Sequence, residues 1–152
     1  MKYAALTLTV LFAVCLLATG WLFLTCDVQT VSLGASVRNA SENESVFYEI
    51  SNQIALSGGE PLGDISGYVF YSWKIRVNNT TFAPLEMVQA SIAQAAGDVV
   101  QISRNETLRI GPRTDGIVEI TVLSRVNSGA RRTATVSWYL WGHRDSQTLR
   151  VE

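Results

Sequence analysis

The sequence predicts an all-β fold, an antiparallel β-sandwich, preceded by a single N-terminal transmembrane helix. Three observations predict it. Residues 3–25 carry no charge. Beyond Asp27 the apolar residues stop recurring at helical spacing and begin to alternate with polar ones, the period of a half-buried strand. Clusters of Gly, Pro, Asn and Ser then break the chain roughly every ten residues, which marks out about seven to nine short strands. An open barrel shares these signals, because period alone does not separate the two.

As a helix, the uncharged run is ~34 Å long at ~1.5 Å per residue, enough to cross a hydrocarbon core of ~30 Å. Tyr3 and Trp21 lie near its two ends, where amphipathic rings favour the headgroup layer. The rival reading is a cleaved secretory signal: Met1-Lys2 as the basic start, 4–17 as the apolar stretch and Ala18-Thr19-Gly20 as the small-residue cleavage site. The apolar run continues through Trp21-Leu22-Phe23-Leu24, which favours a retained anchor. The sequence thus divides into a membrane anchor over 1–26 and one extracytoplasmic domain over 27–152. Lys2 and the α-amino group precede the anchor and Asp27 follows it, so the positive-inside tendency leaves the N-terminus in the cytoplasm.

The exported part is the size of one domain. It carries eleven Lys plus Arg against thirteen Asp plus Glu. With no concentrated basic face, nucleic acid is not expected as a partner. Both cysteines, Cys15 and Cys26, lie in the apolar segment about 16 Å apart along a helix, too far to pair. The sandwich must therefore be held by a core and not by disulfides.

In order, Val31, Leu33, Ala35 and Val37 alternate with polar residues and read as a strand with that set inward. Residues 38–45 read as a loop, 46–51 as a short second strand and 52–67 as a long Gly-containing loop. The clearest strand is 67–78, with Val69, Tyr71, Trp73, Ile75 and Val77 on the core face and Phe70, Ser72, Lys74 and Arg76 on the other. Residues 85–93 form the next, with Val88, Ala90 and Ile92 inward. The spans 99–103 and 107–110 read as a hairpin pair, and 111–116 as a turn cluster around Pro112. Residues 116–123 place Val118, Ile120 and Val122 on one face. Residues 133–142 place Ala134, Val136, Trp138 and Leu140 inward, with Tyr139 and Trp141 opposite, and 148–151 adds an edge strand. No soluble helix is expected.

Acceptor sequons are the densest motif: Asn39, Asn43, Asn78, Asn79 and Asn105, all in expected loops or turns and all glycosylation candidates in an exported domain. His143 is the only histidine, so no histidine-based metal triad or Ser-His-Asp arrangement with a spare base can be assembled. Glu60 and Asp64 share a Gly-rich loop but match no calcium-loop spacing. No catalytic residue, metal or cofactor is expected, and the chain reads as non-enzymatic. Phe70, Tyr139 and Trp141 fall out of phase with the core set. They mark a possible interface, unless a second layer, a loop or the membrane surface covers them.

Residues 31–142 resemble the late-embryogenesis-abundant type 2, or WHy, domain. The resembling pieces are Ile75-Arg76-Val77-Asn78-Asn79 running into Ala83-Pro84-Leu85, a Gly97-centred turn, Ile110-Gly111-Pro112 before Val118-Glu119-Ile120, and the closing Val136-Ser137-Trp138-Tyr139-Leu140-Trp141-Gly142. The Asn-Pro of that family after the central strand is here Asn79-Thr80, with Pro84 displaced. The resemblance implies an immunoglobulin/fibronectin-III-like sandwich, often membrane-tethered, with stress-protective or binding roles. One anchor plus an exported sandwich is also similar to archaellum stator subunits. The expected function is a membrane-anchored cell-surface binding or structural module. The alternative is an accessory single-span subunit of a larger membrane or appendage complex. The expected partners are membrane lipid and a protein partner, or a second copy through the sandwich.

Overall fold

The computed structural model describes residues 2–25, 27–103, 108–129 and 131–152, with the side chains of the first helix described over 7–21. The elements are α1 (Lys2–Thr25), β1 (Val28–Asn39), α2 (Glu44–Leu56), β2 (Tyr68–Asn79), β3 (Leu85–Ile92), β4 (Asp98–Ser103), β5 (Leu108–Ile110), β6 (Thr114–Arg125), β7 (Arg132–Leu140) and β8 (His143–Val151). The strands form two four-stranded antiparallel sheets, ordered β1-β2-β6-β4 and β5-β3-β7-β8. Every described side chain of α1 is exposed. Among the described residues, which for the side chains of α1 are 7–21 alone, no helix is long and apolar enough to cross a membrane.

The core lies between the sheets. Trp73, Ile75, Val77 and Ile120 from the first meet Leu85, Val88, Val136, Trp138 and Val151 from the second. Trp73 is fully buried and stacked on Tyr71 at 5.9 Å between centroids, and Trp138 is 3% exposed. The inward set expected of β2 is buried throughout. At one edge the two sheets are linked by Gln147 of β8, whose Oε1 accepts from the Thr30 N–H and hydroxyl of β1.

Four expectations are corrected. The strand expected at 46–51 belongs to α2, a helix in a region where no soluble helix was expected. Phe47, Ile50 and Ile54 recur at spacings of three and four and pack on Tyr68, Phe70 and Leu123, giving a second small core on the outer face of the first sheet. The loop expected over 52–67 therefore begins only after Leu56, and a short 3-10 turn, Ile65–Gly67, leads into β2. The inward set expected of β1 is split between the two faces: Val31 pairs with the outward Arg76, whereas Ala35 and Val37 pair with the inward Trp73 and Tyr71. A bulge between Ser32 and Gly34, with Gly34 at φ 113°, inserts one residue and resets the phase. Val31, Leu33 and Val37 are exposed, while Thr30, Ser32 and Ala35 are half-buried. Finally, β4 and β5 do not form a hairpin: β4 pairs with β6 and β5 with β3, in different sheets. The turn expected between them, 104–106, lies outside the described residues.

The β7–β8 connection is tighter than expected. Leu140 pairs with His143, so Trp141 and Gly142 alone make the turn, at φ 51° and 78°. A two-residue turn with both residues at positive φ matches the right-handed strand twist. His143 consequently begins a nine-residue strand that contains the edge strand expected at 148–151.

Candidate functional site

Opposite ends of the sandwich carry different chemistry. Asp98 opens β4 and Arg132 opens β7, so they belong to different sheets, at the end where β2 begins and β6 finishes. Their side chains are each 4% exposed and joined by a 2.9 Å ion pair. The Ser124 hydroxyl donates to Asp98 Oδ1 at 2.8 Å, and the Ala95 N–H donates to Oδ2 at 2.8 Å. Arg132 also donates to the carbonyls of Ser128 and Arg131. Burial pushes the Asp98 carboxyl up, but the Ala95 N–H, the Arg132 guanidinium and the Ser124 hydroxyl outweigh it and hold the pKa below its ordinary value. Both carboxylate oxygens are engaged, so the arrangement clamps the sheets together.

A groove of about 320 Å³ runs beside α2 on the outer face of the first sheet. Phe70, Ser72 and Thr121 line it from the sheet, with Arg38 and Glu119 as its charged residues and Val46 contributed by α2. The Ser72 and Thr121 hydroxyls bond each other across the strands at 2.7 Å. Its lining is mostly apolar, with one charge of each sign and hydroxyls at its floor, and among the described residues it gathers no nucleophile with a base. Among the described residues, no three His, Cys, Asp or Glu side chains come together as a metal site.

The sequons separate by environment. Asn39 is exposed at the end of β1, and Asn43 is half-buried just before α2. Asn78 and Asn79 end β2 and are not in a loop. Asn79 is fully buried. Its Nδ2 donates to the carbonyls of Ala83 and Gly111, each at 2.8 Å, and its Oδ1 accepts from the Thr81 N–H and hydroxyl. Both ends of the amide are in use and no space remains for a glycan, which removes Asn79 from the candidates. Asn105 lies outside the described residues.

The three aromatics do not form one patch. Phe70 does project from the outer face, but α2 covers it and it is 4% exposed, so it is no part of an open interface. Tyr139 is half-buried and Trp141 is 58% exposed at the β7–β8 turn. His143 is exposed beside it. Of the loop carboxylates, Glu60 is exposed. Asp64 caps the 3-10 turn by accepting from the Ser66 hydroxyl at 2.6 Å, which lowers its pKa, with the Ser66 N–H adding to the effect. The Asp98–Arg132 clamp went unread in the sequence because its members lie 34 residues apart with no local pattern.

No family model matches the chain, and no curated protein matches it. Among solved structures it is similar to a FixG-related protein from Vibrio parahaemolyticus, at 12% identity and a TM-score of 0.40, over 83% of this chain and 94% of that one. At that level the likeness assigns neither family nor function.

Proposed function

We propose that this protein is a non-enzymatic, membrane-anchored cell-surface module: α1 tethers it and an immunoglobulin/fibronectin-like sandwich meets the envelope or a protein partner. The observation that carries the reading is the uncharged run over 3–25, longer than the ~20 residues a span requires. All of its described side chains are exposed, and β1 begins three residues after α1 ends. The N-terminus is cytoplasmic and the sandwich extracytoplasmic, with Asn39 the most accessible glycan acceptor among the described residues. The WHy-like reading is supported by a hydrogen-bonded knot in which Asn79, Ala83 and Gly111, all from the resembling pieces, meet.

Alkaline carbonate extraction of native membranes, followed by protease added from outside, tests the proposal. The chain is expected to stay with the membrane pellet, to lose its sandwich to the protease and to have an intact mass that includes residues 3–25. Release by carbonate, or a mature start at Trp21 or later, overturns the anchor. A second reading, an accessory subunit of a larger membrane or appendage complex, is favoured by Val31, Leu33 and Val37 exposed on the edge strand β1. Recovery of a stoichiometric partner from gently solubilised membranes selects it.

A further inference from the structure

The end of the sandwich that α1 enters is marked out by the strand pairing. Val28 pairs with Asn79 and Asn79 with Thr114, so β1 and β6 start there and β2 finishes there. Glu86 pairs with Tyr139, so β3 starts and β7 finishes at that end too. The connection 80–84, the turn 111–113 and the Trp141-Gly142 turn therefore all emerge beside the exit of α1. Two exposed aromatics crown them: Phe82, 48% exposed, and Trp141, 58% exposed. The Arg113 guanidinium lies over the Phe82 ring, 4.1 Å from its centroid.

This end is fixed to the helix exit. The Thr80 hydroxyl accepts from the Asp27 N–H at 2.9 Å and donates to the Asp27 carbonyl at 2.6 Å, and the Thr80 N–H donates to the same carbonyl at 3.1 Å. Thr25, the last residue of α1, and Phe82 each lie two residues from this joint, no more than about 8 Å along the chain at 3.8 Å per step. Trp141 adds an independent sign. A two-residue turn at positive φ is served best by Asn-Gly or Gly-Gly, and a bulky side chain there is strained.

We propose that this end of the sandwich rests on the bilayer that holds α1, with Phe82 and Trp141 in the headgroup layer and Arg113 among the lipid phosphates. The inference builds on the anchor reading and assigns the partner of this surface: lipid, and not a second protein. An indole favours that layer, the Phe82 ring adds apolar area beside it, and the Arg113 guanidinium over that ring keeps its charge in reach of phosphate. The short joint leaves little chain with which to hold these groups away from the headgroups.

The test uses the full chain, with Cys15→Ala and Cys26→Ala, in phosphatidylcholine vesicles containing lipid with a quencher on its headgroup. A dye is attached through Pro112→Cys beside Phe82 or, as the far-end control, through Val126→Cys. These sites are separated by the length of β6, about 40 Å at ~3.3 Å per residue. The expected result is that the chain floats with the vesicles and the dye at position 112 is quenched several-fold more than that at 126. Phe82→Ser with Trp141→Ser should leave flotation intact and abolish the difference. If the chain floats but both dyes are quenched alike, the contact is overturned and the anchor stands. If the chain does not float, the anchor fails and takes the contact with it. A dye at 112 shielded from aqueous iodide yet untouched by the lipid quencher assigns the surface to a protein and overturns the proposal. The comparison of positions 112 and 126 decides even if the double variant fails to fold.

Discussion

Asn79 ends β2 with a carboxamide shut away from water, holding the connection 80–84 to the turn after β5. Removing a buried group of this kind costs more than its hydrogen bonds are worth, because the partners stay buried and each loses a hydrogen bond that water does not replace. Asn79→Ala is therefore expected to destabilise the sandwich by about 2–4 kcal/mol, measured by urea unfolding. Peptide mass mapping of native protein should find the peptide containing Asn79 without glycan at that residue. The sequon pattern is blind to this distinction, since an Asn before Thr has the same spelling in an open loop and in a plugged strand end. Phe70 makes the same point for aromatics: its phase on β2 is outward, yet α2 covers it.

Among the elements, β2, β6 and β7 were legible because their inner faces are apolar and the extra residues at their register shifts belong to their partners β1, β4 and β3. β1 misled because its bulge divides one alternating apolar set between two faces, leaving Val31 outward and Ala35 and Val37 on the inner side. The pattern Val46-Phe47-Tyr48-Glu49-Ile50 is short enough to fit either period, and only the recurrence at Ile54 distinguishes a helix. The strands β4 and β5 have ordinary local signals; what the sequence lacks is the crossover that sends them to different sheets. The clamp between Asp98 and Arg132 was unreadable for the same reason, being a product of topology. Because α2 owes its place to a few apolar contacts, Phe47→Ala should cost about 3–5 kcal/mol. The check is a urea titration followed by far-UV dichroism, with the main core retained in the folded baseline.

At the scale of the whole molecule, the Asp98–Arg132 pair ties the two sheets at the end away from α1. A carboxyl whose pKa is lower folded than unfolded adds stability above its unfolded value and loses it as the pH falls through the folded one. With the Asp98 pKa lowered, stability is expected to hold near neutrality and to decline below about pH 4. Asp98→Asn should cost about 3–5 kcal/mol at neutral pH, by stranding a buried guanidinium, and should flatten that acid decline. Thermal melts of both chains across pH 3–8 check the two effects together. The Asp27–Thr80 joint has a mechanical consequence as well. A domain on a slack tether samples every height its leash allows, whereas one joined within two residues of its helix stands as a short post. With α1 in a bilayer, the twelve residues of β2, at ~3.3 Å each, put the far end about 40 Å above the lipid. Whatever meets the clamp end or the α2 groove is then met at a set standoff, and two such posts on facing or neighbouring surfaces share one gauge.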